Sequence, residues 1–180
     1  MEKTDLKSLP MDQLEQWVLE HGEKKFRAKQ LYQWMHVKLA DSVEQMSNLP
    51  AKLREQISEN STFTVLKQVT MQESAIDGTR KYLFELEDHN MVESVLMRYK
   101  HGNSVCISSQ VGCRMGCRFC ASTLDGLERN LRPSEMLEQI YRIQRDIGER
   151  VSNVVVMGSG EPMDNYDNLI RFIHLLTDEN

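Results

Sequence analysis

Apolar residues recur at helical spacing through the first sixty positions of the chain. Met11, Leu14 and Val18 share a stripe beside Trp17, and Gly22 follows as a natural C-terminal cap. Ala28, Leu31, Met35 and Leu39 make a second stripe, and Leu53 with Ile57 predicts a third helix after Pro50. From Phe63 the period falls to two. The run Phe63–Thr70 reads as a strand, Asp77-Gly78 as a hairpin turn, and Tyr82, Phe84 and Leu86 alternate with Lys81, Leu83 and Glu85. A second turn at Asp88-His89-Asn90 leads into Met91–Tyr99, and this small antiparallel sheet leads to a strand at Ser104–Ser109.

Beyond that strand the pattern changes again. A long loop with glycines and cysteines, Gln110–Asn130, precedes a helix with Met136, Ile140, Ile143 and Ile147 on one face and Gly148 closing it. Val151–Met157 is an almost unbroken β-branched run, as expected of a parallel strand buried on both faces. The loop Gly158–Asp164 and a helix carrying Leu169, Phe172, Ile173 and Leu176 follow. Strand, loop and helix, twice over, is a right-handed βαβα pattern. The predicted class is therefore α/β in three parts: a helical accessory domain at 1–61, an antiparallel β extension at 62–102, and the first two βα units of a partial TIM-type barrel at 103–180. A complete eightfold barrel takes roughly 250 residues, so the chain is expected to be truncated within it.

Charge narrows the classes of partner. The 180 residues carry a formal net charge of -5, which argues against a generic polyanion binder and requires any RNA contact to come from a local patch. Lys24, Lys25, Arg27 and Lys29 gather at the start of the second helix, as either a solvated face or such a patch. No apolar stretch is long enough to cross a bilayer and the start is no signal peptide, so a cytoplasmic location is expected. In that compartment cysteines are reduced thiols, metal ligands or redox catalysts.

The most informative segment is Cys113-Arg-Met-Gly-Cys117-Arg-Phe-Cys120. Three thiolates in one glycine-bearing loop just after a strand can converge on an iron–sulfur cluster, and three ligands leave one iron open to a substrate. The alternative is a structural zinc with Cys106 or His101 as fourth ligand, although a second CxxC-type knuckle is missing. One βα unit later, Gly158-Ser159-Gly160-Glu161-Pro162 lies at the C-terminal end of a strand, where α/β folds bind ligands. Glu93 shares a strand face with Met91, Val95, Met97 and Tyr99. Either this carboxylate stands on a buried apolar side, or Val92, Ser94 and Leu96 are the buried face and Glu93 is solvated. Cys106 otherwise passes as a small core residue.

The spacing CxxxCxxC with Phe119 before the last cysteine resembles the radical S-adenosylmethionine (SAM) signature. The longer string from Val105 through Cys120-Ala-Ser-Thr, with Gly126 and Arg129-Asn130-Leu131, resembles the RlmN/Cfr family of radical SAM RNA methyltransferases. Val111 and Gly160-Glu161-Pro162 lean towards the RlmN branch, and Ser159 departs from the methionine often found there. The resemblance implies that Cys113, Cys117 and Cys120 ligate a [4Fe–4S] cluster, that Phe119 lies near the adenine of SAM, and that Gly160 and Glu161 hold its amino group. It gives Glu93 a proton-transfer role and Cys106 that of the thiol resolving an enzyme–RNA adduct through a disulfide. The implied reaction is methylation of adenine C2 in 23S rRNA and tRNA, with two SAM per turnover and a methyl-carrying cysteine. The expected partners are those RNAs and an electron donor such as flavodoxin or ferredoxin; a monomer with no membrane association is expected. All four cysteines lie at or before position 120, so the methyl-carrying one is not in this sequence and the chain alone is expected to be inactive. The competing readings are a zinc-stabilised RNA-binding module without catalysis and a Cfr-type C8 methyltransferase.

Overall fold

The computed structural model describes residues 3–179. It divides into two compact units, one taking the chain up to Thr64 together with the stretch from Arg171 onward, the other Val65–Ile170.

In the first unit, helices α1 (Met11–Glu20), α2 (Phe26–Tyr32) and α3 (Ala51–Asn60) realise the three predicted stripes. Strand β1 (Thr4–Asp5) pairs in parallel with β2 (Ser61–Thr62) and ties the two ends together. Leu14, Val18, Ala28, Leu31, Met35, Leu53 and Ile57 are all removed from water. The second stripe does not reach Leu39 as a regular helix. It widens into a π turn at Gln33–Val37, and Leu39 leaves it with a φ of 55°.

Lys7 is fully buried in this unit. Its ammonium donates to the Thr64 carbonyl at 2.7 Å and lies 4.0 Å from the centre of the Phe63 ring. Burial of the His36 imidazole, with Lys7 adding to it, lowers its pKa from 6.5 to about 3. Between those values the unfolded chain takes up a proton that the folded one refuses. The stabilisation is therefore complete above pH 6.5 and is lost as pH falls towards 3. We expect urea unfolding of this unit to lose about 1–3 kcal/mol between pH 7 and pH 4, and His36→Gln to flatten that slope. Equal slopes in parent and variant would remove His36 from the explanation.

The second unit is built on a five-stranded sheet in the order β3 (Lys67–Glu73), β4 (Arg80–Glu85), β5 (Met91–Tyr99), β6 (Gly102–Cys106) and β9 (Val151–Val155). The first three junctions are antiparallel and β6–β9 is parallel, so the antiparallel extension and the barrel strands are one continuous sheet. Helix α4 (Pro133–Ile147) covers one face. Its Gln139 receives the Ser94 hydroxyl at 2.8 Å, and its Asp146 receives the Tyr82 hydroxyl at 2.7 Å. Tyr82, Phe84, Val92, Leu96 and Val105 are buried on that side. Helix α5 (Tyr166–Leu176) follows the last loop and runs from the second unit into the first.

Three boundaries differ from expectation. The strand predicted at Phe63–Thr70 begins only at Lys67, because Leu66 and Thr64 are buried ahead of the sheet. The strand predicted at Ser104–Ser109 stops at Cys106; Ile107 keeps backbone bonds to Val155 and Gly158, and side-chain bonds take over at Ser108. Val151–Val155 is not buried on both faces: Ser152, Asn153 and Val155 are exposed, since among the described residues β9 is an edge strand with only β6 beside it. Among the described residues, no helix is long and apolar enough to cross a membrane.

Candidate functional site

At the C-terminal end of β6 the chain gives up strand pairing but not order. Ser108 is fully buried, and the Gln139 amide imitates a neighbouring strand for it. Oε1 accepts the Ser108 N–H at 2.8 Å while Nε2 donates to the Ser108 carbonyl at 3.0 Å. The Ser108 hydroxyl donates to the Glu93 carbonyl at 2.8 Å and accepts the Ser159 N–H at 3.0 Å. One buried serine thus links β5, the end of β6 and the loop after β9.

From there the two loops are laced together. The Ser159 carbonyl accepts from the N–H groups of Ser109 and Gln110 at 2.9 and 3.2 Å. Gln110 is fully buried. Its Oε1 accepts the Glu161 N–H at 2.8 Å, and its Nε2 donates to Asn130 Oδ1 and Asp164 Oδ2 at 2.8 and 3.0 Å. Asn165 Nδ2 reaches the carbonyls of Ser109 and Leu131 at 2.9 and 2.8 Å. A Cβ on Gly160, whose φ is +101°, would lie 2.6 Å from the Gln110 Cβ, so this contact requires glycine.

The cysteine loop is pinned at both ends. Strands β7 (Gln110–Gly112) and β8 (Leu127–Asn130) pair antiparallel across its base, a pairing that periodicity did not reveal. The Cys113 N–H donates to the Gly126 carbonyl at 2.9 Å. Arg129 of β8 makes two 2.9 Å bonds to the buried Glu135 carboxylate and one of 2.6 Å to Asp88, fixing the loop exit on the first turn of α4. At the start of the loop, directly after Cys113, Arg114 pairs with Asp164. Hydrogen bonds from Arg114 first, then from Gln110, hold the Asp164 carboxyl below its ordinary range.

The cysteines are all free thiols, with Cys113 buried, Cys117 exposed and Cys120 between. Among the described residues no three His, Cys, Asp or Glu side chains stand close enough to hold a metal ion. The loop therefore presents the donors in sequence without gathering their sulfurs. As a donor set, three thiols and one missing ligand suit an iron–sulfur cluster with an open iron better than tetrahedral zinc. His101 stacks on Tyr99 at the start of β6, the opposite end of that strand from the loop, which removes it as a fourth zinc ligand. Phe119 is 95% exposed and packs under nothing.

Glu161 caps the turn Pro162–Asn165: its Oε1 accepts the Met163 N–H at 3.1 Å, and Oε2 has no partner among the described residues. Val92, Ser94 and Leu96 prove to be the buried face of β5. Glu93 is 57% exposed on the other face, 3.2 Å from the Lys81 ammonium. Cys106 stands directly opposite Val95 in the β5–β6 ladder, which makes Glu93 its diagonal neighbour on one face, roughly 7–8 Å away. The sequence reading missed Ser108, Gln110, Gln139, Asp164 and Asn165. The only signal for the first two was a small polar run, Ser108-Ser109-Gln110, across the expected change from strand to loop.

Comparison with known proteins agrees with this geometry. Residues 107–179 match the model of the radical SAM superfamily, and residues 4–63 that of the ribosomal RNA large subunit methyltransferase N-terminal domain. A crystal structure of a radical SAM methyltransferase from Sphaerobacter thermophilus superposes with a TM-score of 0.90 at 36% identity, over 98% of this chain and 52% of that one. The fold and its two laced loops are thus of the radical SAM class. A probable dual-specificity RNA methyltransferase RlmN of Lachnospira eligens is 69% identical over 98% of this chain and 50% of its own length. The corresponding protein of Lachnoclostridium phytofermentans is 57% identical over 98% of this chain and 49% of its own. The chain belongs to the RlmN-type family of radical SAM enzymes, and it spans about half the length of the curated relatives it matches.

Proposed function

We propose that this chain supplies the cluster- and SAM-binding part of a methyltransferase acting on C2 of an adenosine in 23S rRNA and in tRNA. The observation that carries the reading is the lacing of a three-thiol loop to a Gly-Glu loop at the ends of adjoining parallel strands. When bound there, a [4Fe–4S] cluster with SAM on its open iron supplies the radical needed to attack an unactivated carbon.

The chain's own residues then divide the remaining work. Cys113, Cys117 and Cys120 hold the cluster. Gly160 and Glu161, the latter through its free Oε2, would hold the amino group of SAM, and the exposed Phe119 ring would lie near its adenine. Glu93, beside Lys81, exchanges a proton with the base. The Cys106 thiol, on the same sheet face, resolves the enzyme–RNA adduct by forming a disulfide with the methyl-carrying cysteine. That cysteine is not among the four here, so two-SAM turnover requires more than these residues. RNA contact is assigned to the groove of about 680 Å³ on α1 and α2, where Lys25 and Lys29 flank the half-exposed Phe26. Lys25 is paired with Glu15 at 2.9 Å, which leaves Lys29 as the more available cation.

Anaerobic reconstitution tests the cluster. Equal amounts of iron and sulfide and a brown, air-sensitive product are expected, and serine at Cys113, Cys117 or Cys120 should abolish them. Colourless protein holding stoichiometric zinc would replace this reading with a zinc-stabilised RNA-binding module. In the intact enzyme, methylation at C8 instead of C2 would assign a Cfr-type activity.

A further inference from the structure

Gln110 is a fully buried side chain whose amide touches both loops. The orientation of its amide is fixed by chemistry, because the Glu161 N–H can only donate and the Asp164 carboxylate can only accept. Asp164, a half-turn beyond the Gly-Glu-Pro segment, spends its other oxygen on Arg114, the residue after the first cluster cysteine. The path Glu161–Gln110–Asp164–Arg114 therefore runs from the backbone of the proposed SAM-binding residue to the start of the cysteine loop. Gln110 is wholly buried and makes three good hydrogen bonds, so its position has little freedom, whereas Arg114 is mostly exposed. The inner half of the path is rigid and the outer half adjustable. Such an arrangement sets a distance between two loops while allowing one of them to close on a ligand.

We infer that Gln110 is a positioning residue that sets the Glu161 backbone against the Cys113–Cys120 loop, with Asp164 and Arg114 carrying the constraint outwards. The inference rests on the proposed cluster and SAM reading for its consequence but not for its geometry. It assigns the pre-organisation of the SAM site to an amide that touches neither the cluster nor SAM.

Gln110→Glu is the sharpest test, since it keeps an acceptor for the Glu161 N–H and places a second carboxylate against Asp164. The reconstituted protein should keep its parental iron content, bind SAM about tenfold more weakly, and exchange the amide hydrogens of residues 158–164 faster. Asp164→Ala, at the outer part of the path, tolerates folding better and should weaken SAM about threefold with the same exchange signature. If Gln110→Glu does not fold, Asp164→Ala decides alone. Parental SAM affinity in the folded variants overturns the inference, even where exchange is faster. Hydrogen exchange needs no cofactor. If the parent protein assembles no cluster, the proposed function fails, and unchanged exchange in both variants would separately sink the inferred path.

Discussion

Alanine at Gly112 is expected to destabilise the second unit by about 3 kcal/mol or more and to abolish iron retention by the cysteine loop. The new Cβ would stand 2.0 Å from the Gly126 carbonyl oxygen, inside any tolerable contact, and the atom it meets is backbone. That carbonyl also receives the Cys113 N–H, so relief of the clash breaks the bond that starts the loop. A left-handed φ of +72° adds a conformational penalty of about 1–2 kcal/mol. Gly116→Ala is the control. Its φ is +69°, but a Cβ there meets nothing within 4 Å, so it should show the conformational penalty alone, about 1 kcal/mol. Urea midpoints of the two variants separate collision from strain. Equal losses would mean that the β7–β8 base of the loop yields freely.

Leucine at Gln139 carries the second large expectation, a loss of about 3 kcal/mol. The substitution conserves approximate size and apolar packing on α4, but it leaves the Ser108 N–H, the Ser108 carbonyl and the Ser94 hydroxyl without this amide. All lie where water does not reach. Gln144→Leu on the same helix removes a single bond, the one to the Val151 N–H, and should lose only about 1 kcal/mol. A similar loss in both would show that Ser108 finds other partners.

Much of this architecture was legible in the residues because the signals were periodic. Met136, Ile140 and Ile143 face inward on α4 as their spacing required, and Met91–Tyr99 is a strand over its predicted length. The cysteine spacing likewise marked a distinct loop, the one closed at its base by β7 and β8. What could not be read was polar and long-range. Gln110 and Asp164 are 54 positions apart, and nothing local ties an amide after one strand to a carboxylate after another. Glu93 exposed the limit of alternation, since both faces of β5 carry apolar residues. Only the side taken by α4 decides which of them is covered. The Val151–Val155 run looked doubly buried because β-branched composition reports a strand's suitability for a parallel sheet, not how many neighbours it has.

The sheet order also dictates a sequence of events in folding. Strands β3 to β6 form a meander, each pairing with the next across connections of two to six residues, so their loops close early. Strand β9 can join β6 only after everything from Ile107 to Arg150 has been threaded between them. Of all the pairings in this sheet, β6 with β9 closes the longest stretch of chain, and the whole cysteine loop lies inside that closure.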